Sequence, residues 1–159
     1  MSINKYEFWL INDSPDFGLI KGGVFGITRL DAPIRLQRGD GWFGEAHIQL
    51  KHSIWIKKNG LFIPELVWNK CRQPGIIYST EELHKGKIML PLSPSSLMVL
   101  RYIPKGNFWT VVTLYPHEGV IDGLELGRYS DAFNIARNLV YTLAGTTYIP
   151  TPAIKKPRL

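Results

Sequence analysis

Leu97-Met98-Val99-Leu100-Arg101-Tyr102-Ile103-Pro104-Lys105-Gly106-Asn107-Phe108-Trp109-Thr110-Val111-Val112-Thr113-Leu114-Tyr115 is the stretch that decides the fold. Two apolar runs rich in strand formers flank Pro104-Lys105-Gly106-Asn107, whose residue types reverse the chain direction. The stretch therefore predicts an antiparallel hairpin with strands Leu97 to Ile103 and Phe108 to Tyr115. Strict alternation in the second strand puts Trp109, Val111, Thr113 and Tyr115 on one face and Phe108, Thr110, Val112 and Leu114 on the other. Both faces are largely apolar, which predicts an interior strand covered on both sides. Arg101 stands out between Leu100 and Tyr102. A cation in an apolar run needs either an ion-pair partner, such as Glu45 or Asp122, or an anion from outside.

Upstream, Ile76 to Tyr78 and Lys87 to Leu90 read as two more strands, so a four-stranded antiparallel meander leads to Tyr115. Before them, Ile63-Pro64-Glu65-Leu66-Val67 starts a short helix that ends near Arg72, with proline and an acid in the first turn, where both are favoured. Trp42 to Lys57 also reads as a helix. One stripe holds Phe43, His47, Leu50 and Ile54, and is the apolar, core-facing candidate. The neighbouring stripe holds Glu45, Ile48, His52 and Trp55, and is expected to be the wetter one. The alternation in Ile48-Gln49-Leu50-Lys51 fits a strand as well. Tyr6 to Ile11 reads as a first strand, closed by the turn formers Asn12 to Asp16.

Downstream, Ser130 or Asp131 caps a stripe of Ala132, Phe133, Ile135, Ala136, Leu139, Val140 and Leu143. That spacing predicts a C-terminal helix stopped by Gly145. Thr146 to Leu159, with three prolines and Lys155-Lys156-Pro157-Arg158, reads as an extended basic tail. The fold class expected is α+β: N-terminal helices packed on a four-stranded or larger antiparallel meander, with an additional C-terminal helix. Residues 1–145 make one domain and residues 146–159 the tail.

Composition narrows the classes further. The 159 residues are 45% hydrophobic and 20% charged, which is globular rather than disordered. The single cysteine, Cys71, cannot form an internal disulfide, and no CxxC metal motif exists. Charges interrupt the N-terminal segment and no apolar run approaches the ~18 residues that span a bilayer. Neither a signal peptide nor a membrane partner is expected, and a reducing cytoplasm is the expected location. Nineteen lysines and arginines against thirteen acids leave a net charge of +6, which favours polyanionic partners such as nucleic acid. Gly22-Gly23 lacks the GxxxxGK[ST] spacing of a phosphate loop.

Gly41-Trp42-Phe43-Gly44-Glu45-Ala46-His47-Ile48-Gln49-Leu50-Lys51-His52 carries the chemistry. It concentrates two of the four histidines with a lysine and a carboxylate, and imidazole is the side chain best suited to moving protons near neutral pH. Five residues apart on a helix, the histidines are separated by about 140° around the axis, unlike a metal-binding i, i+4 pair. No metal and no cofactor are expected. His84 and His117 fall in loop-like segments and are expected to face solvent.

The motif Gly44-Glu45-Ala46-His47-Ile48 with Lys51-His52, followed by Trp109-Thr110-Val111-Val112-Thr113-Leu114-Tyr115, resembles the barnase, EndoU, colicin E5/D and RelE-like group of metal-independent ribonucleases. The likeness is nearest to phage-borne and polymorphic-toxin members with a GxxHI…H helix and a terminal VxT strand, and covers Pro33 to Tyr115. It implies an endoribonuclease toxin or effector, with RNA, tRNA included, as substrate and a cognate immunity or antitoxin protein as partner. The site of action would be the cytoplasm of the producing cell or of a target cell after delivery. RNA would be cut by attack of the ribose 2′-hydroxyl on the adjacent phosphorus. His47 and His52 are the candidate base and acid, in an order left open, and Arg101 and Thr113 the candidate donors to the phosphate. Lys51 and Tyr115 are the candidate substrate-binding residues. The competing class is a non-enzymatic module with a nuclease-like fold, either an RNA-binding domain or a phage structural or host-interaction protein.

Overall fold

The computed structural model describes residues 4–23, 28–92, 96–117, 119–131, 133 and 138–148. Strands β1 (Leu10–Ile11), β2 (Gly18–Ile20) and β3 (Ala32–Arg35) precede helices α1 (Gly44–Lys51), α2 (Ser53–Lys58) and α3 (Ile63–Lys70). Strands β4 (Gly75–Ser79), β5 (Lys87–Leu92), β6 (Ser96–Ile103), β7 (Phe108–Pro116) and β8 (Glu125–Tyr129) follow, and β9 (Tyr141–Leu143) and β10 (Thr146–Tyr148) close the described chain. The architecture is α+β. One sheet has the order β2-β3-β7-β6-β5-β4-β8 and the other β1-β9-β10.

Strands β4 to β7 form the antiparallel meander that the alternating runs predict, with β6 and β7 paired from Ser96↔Pro116 to Ile103↔Phe108. Strand β7 lies inside the sheet, as two apolar faces require. Its faces are not those of strict alternation, however. The register passes from Val99↔Thr113 to Leu100↔Val111, so Val112 is an extra, unpaired residue in a β-bulge. Before the bulge Trp109 and Val111 point into the core, and after it Leu114 does. Thr113 and Tyr115 are thereby moved to the opposite face, in register with Val99 and Leu97, the face that also carries Arg101.

The helices pack on the inner face. Ile48 of α1, Ile56 of α2 and Val67 and Trp68 of α3 join Ile34, Leu36, Ile77, Leu90, Leu100 and Trp109 in one buried cluster. The predicted helix 42–57 is two helices. It begins at Gly44 and breaks at His52, whose φ of −120° and ψ of 31° leave the helical range. The stripe assignment is reversed as well. Leu50 and Ile54 are 72% and 81% exposed, whereas Glu45, Ile48, His52 and Trp55 lie on the inward side. Helix α3 forms as predicted, with Pro64 in its first turn, and ends at Lys70.

Two further expectations fail. The Tyr6 to Ile11 strand is reduced to Leu10–Ile11, with an isolated bridge between Phe8 and Gln37. Of the predicted C-terminal helix, residues 132 and 134–137 lie outside the described residues, and Tyr141–Leu143 is a strand. Gly145 is not a helix stop. With Ala144 it makes a two-residue turn in which both residues have positive φ, 52° and 83°, the geometry that matches strand twist in tight hairpins. Thr146–Tyr148 therefore belongs to a sheet rather than to a tail, and residues 149–159 lie outside the described residues. The N-terminal segment ties this hairpin down through β1, Asn12 exchanging hydrogen bonds with Val140 through its backbone and its side chain.

Arg72 joins α3 to the segment after β8. Its guanidinium lies 3.8 Å from the Trp68 ring centroid and 4.8 Å from that of Phe133, and its Nε is 3.0 Å from Asp131 Oδ2. It also donates to the Phe17 carbonyl. Removing one member of a largely buried ion pair leaves the other uncompensated, so Arg72→Met is expected to lower unfolding free energy by about 3 kcal/mol. Urea unfolding with an unchanged m-value checks this, and a loss below about 0.5 kcal/mol contradicts it.

Candidate active site

Strand β3 runs parallel to β7 and pairs with it only at Ile34↔Trp109 and Arg35↔Thr110. Helix α1 also packs against β7. No side chain caps α1. The free N–H groups of Glu45 and Ala46 instead donate to the carbonyls of Gln37 and Arg38, at 3.0 and 2.8 Å. The helix thus begins hydrogen-bonded to the chain that leaves β3. The connecting loop requires two glycines. Gly39 and Gly44 have φ of +75° and +79°, a Cβ on Gly39 would overlap the Phe43 carbonyl, and one on Gly44 would lie 2.6 Å from Gln37 O.

This docking delivers both histidines of α1 and its C-cap to the end of β7. The ring centroids of His47 and His52 are 6.4 Å apart, nearly perpendicular. The His52 ring stacks on Tyr115 at 5.3 Å and 22°, and His117 meets the Tyr115 ring edge-on at 6.4 Å. His47 Nδ1 lies 2.8 Å from the Gly41 carbonyl oxygen. A carbonyl accepts only, so Nδ1 carries the proton, and Nε2 is left to exchange one with a ligand.

Burial lowers the His52 pKa below its ordinary value of 6.5, and the neighbouring His47 and Lys51 lower it further. His52 is therefore held neutral where an unperturbed imidazole would begin to protonate. Lys51 itself is exposed, one residue before His52. Thr113 precedes Tyr115 by two residues on the same face, and its Oγ1 is buried with no hydrogen-bond partner. His117 Nε2 is in the same condition. Unpartnered buried polar atoms are uncommon in folded proteins.

The structure thus brings His47, His52 and Tyr115 into contact, with Lys51 and Thr113 adjacent. Arg101 is apart. It lies opposite Thr110, four register positions along β6 from the Leu97↔Tyr115 pair, or about 13 Å at strand rise. Neither Glu45 nor Asp122 pairs with it among the described residues. Instead it lines a separate cavity on the same face.

His117, expected to face solvent, is instead half-buried against Tyr115, with its Nε2 buried. Glu45, expected on the wetter stripe, lies on the inward side. It faces a cavity of about 220 Å³ with Arg38 and Trp9, and burial raises its pKa while Arg38 opposes the rise. Among the described residues no three His, Cys, Asp or Glu side chains come together as a metal-ligand set, and no helix is long and apolar enough to cross a membrane. The thiol of Cys71 is buried and its pKa is pushed up to about 12 by that burial, which keeps it out of nucleophilic chemistry.

Comparison of the chain with protein-family models, with curated proteins and with solved structures gives no match.

The His52 environment yields a direct measurement. In an NMR titration the His52 ring should change protonation below the ordinary histidine value, and Lys51→Gln should move its pKa upward, because removing a nearby cation stabilises the imidazolium. An unmoved His52 titration in the variant contradicts the proximity of the two charges.

Proposed function

We propose that the protein is a metal-independent endoribonuclease acting as a toxin or effector on cellular RNA, with its chemistry at the His47–His52 pair. The observation that supports this most is the pair itself: two imidazoles 6.4 Å apart, one stacked on Tyr115 and the other held through Nδ1 by a backbone carbonyl. Two imidazoles that close together can serve one phosphate as base and acid. The histidine-helix and Thr-x-Tyr motifs, which resemble the barnase, EndoU, colicin E5/D and RelE-like group, support the same reaction, as does the net charge of +6.

The environments of the two rings divide the roles. His52, disfavoured as a cation, takes the proton of the ribose 2′-hydroxyl as that oxygen attacks the adjacent phosphorus. His47 enters the step as the imidazolium: it gives the Nε2 proton to the departing 5′-oxygen and keeps the Nδ1 proton that the Gly41 carbonyl holds. The P–O5′ bond breaks as the O2′–P bond forms, leaving a 2′,3′-cyclic phosphate and a 5′-hydroxyl. The exposed Lys51 ammonium offsets the phosphate charge as it develops. Tyr115 holds the His52 ring from below. A cognate immunity or antitoxin protein would be the natural partner of such an activity.

The competing function is an RNA-binding module without catalysis, and one experiment separates the two. Purified protein incubated with total RNA in EDTA is expected to cut it and leave 2′,3′-cyclic phosphate ends. His52→Ala and His47→Ala should each slow cleavage by about 10²- to 10⁴-fold, as expected for loss of a general base or acid. The acidic limb of the pH–rate profile should vanish with His52 and the alkaline limb with His47. RNA that is bound but left intact by the wild type excludes the enzymatic function and favours the binding module.

A further inference from the structure

Arg101 opens into a cavity of about 520 Å³ on the outer face of the sheet, bounded by Tyr6, Trp42 and Phe43 and by Thr110 and Val112 of β7. The position of Arg101 is otherwise unexplained. Its Nε is buried without a hydrogen-bond partner, and no carboxylate among the described residues pairs with it. Its cross-strand neighbour Lys87 is also a cation, and Lys87 is already taken by Glu82 at 2.9 Å. A part-buried guanidinium beside a like charge calls for an anion from outside.

The rest of the wall specifies more than an anion. Tyr6 and Phe43 stack at 6.1 Å and 27°, and beside them the Trp42 indole is 83% exposed, an apolar surface of large area left in water at the cavity rim. Inorganic phosphate has no use for three aromatic rings, whereas a nucleotide presents a flat apolar base and a phosphate together. Base-edge recognition is poorly provided for. The Gln37 amide, the obvious reader, is occupied at both ends: its Oε1 accepts from Thr110 Oγ1 at 2.8 Å and its Nε2 donates to the Tyr6 carbonyl at 3.0 Å. What remains is stacking, which tolerates any base.

We propose that this cavity is a base-tolerant nucleotide subsite, in which a base stacks on Trp42 and Phe43 while its phosphate pairs with Arg101. On the ribonuclease reading, on which this part rests, it holds a nucleotide flanking the one cut at the histidine pair, since Tyr115, on which His52 stacks, and Arg101 lie on one face about 13 Å apart along β6. Arg101 is then a substrate-binding residue.

The test is an NMR titration of isotope-labelled protein with the four nucleoside 5′-monophosphates, the uncharged nucleosides and inorganic phosphate. Every monophosphate should shift the Trp42 indole and Arg101 Nε resonances, with affinities within about fivefold of one another, because stacking reads no sequence. Trp42→Ala, at an exposed position where folding is not at stake, should weaken monophosphate binding about tenfold and leave phosphate binding unchanged. Arg101→Gln should weaken the monophosphates about tenfold and leave the nucleosides unchanged. Phosphate binding as tightly as the monophosphates, or no shift at Trp42 and Arg101 up to about 10 mM ligand, a range as weak as small-ligand affinity runs, would overturn the subsite. RNA cleavage in EDTA without nucleotide binding here removes the subsite and leaves the ribonuclease. Nucleotide binding here without cleavage does the reverse.

Discussion

The site depends on an edge that β3 leaves uncovered. A strand in the middle of a sheet needs partners on both sides, and β3 supplies β7 with one only at Trp109 and Thr110. Helix α1 also packs against β7, its first N–H groups bonded to the chain that has just left β3. A helix can sit that close only because Gly39 and Gly44 allow the intervening loop its left-handed turns and its backbone contacts. The positions of the histidines follow from this docking. It anchors Ile48 in the core, breaks the helix at His52, and lays the His52 ring on Tyr115.

The bulge at Val112 is the second constraint. One extra residue reverses the facing of everything after it, so Leu114 enters the core while Thr113 and Tyr115 join Arg101 outside. Thr113 and Tyr115, which strict alternation would have placed beside Trp109 and Val111, lie on the other face instead. The inner face stays apolar and packed, and the outer face collects the unpartnered atoms: Thr113 Oγ1, Arg101 Nε and His117 Nε2.

Much of this was legible in the sequence where local chemistry governs. The Pro104 to Asn107 turn, the runs that form β4 to β7 and the proline-started α3 follow from propensity and pattern. Three things were not. A bulge leaves no mark in an alternating apolar strand, because Val112 looks like any other strand residue. The exposed Leu50 and Ile54 imitate a buried stripe, since periodicity cannot tell which side of a helix meets the core. Tyr141-Thr142-Leu143 fits a helical stripe, and pairing with β1, more than 120 residues away in sequence, overrides it. Of the candidate site, His47, His52 and Tyr115 stand out in residue type and spacing, and the structure brings their rings together. The separation of Arg101 from them does not show there, because it depends on register.

The outer face of β6 and β7 is thus the proposed path of RNA, from the stacked histidine at one end to the aromatic cavity of Arg101 at the other. An RNA oligonucleotide carrying a single 2′-deoxy residue cannot be cut at that residue, because it lacks the attacking hydroxyl. Bound to isotope-labelled protein, it should shift resonances of His47, His52, Thr113 and Tyr115 together with those of Arg101 and Trp42, leaving the β1-β9-β10 sheet unmoved. Shifts confined to that other sheet, or to the exposed side of α2, would contradict the account.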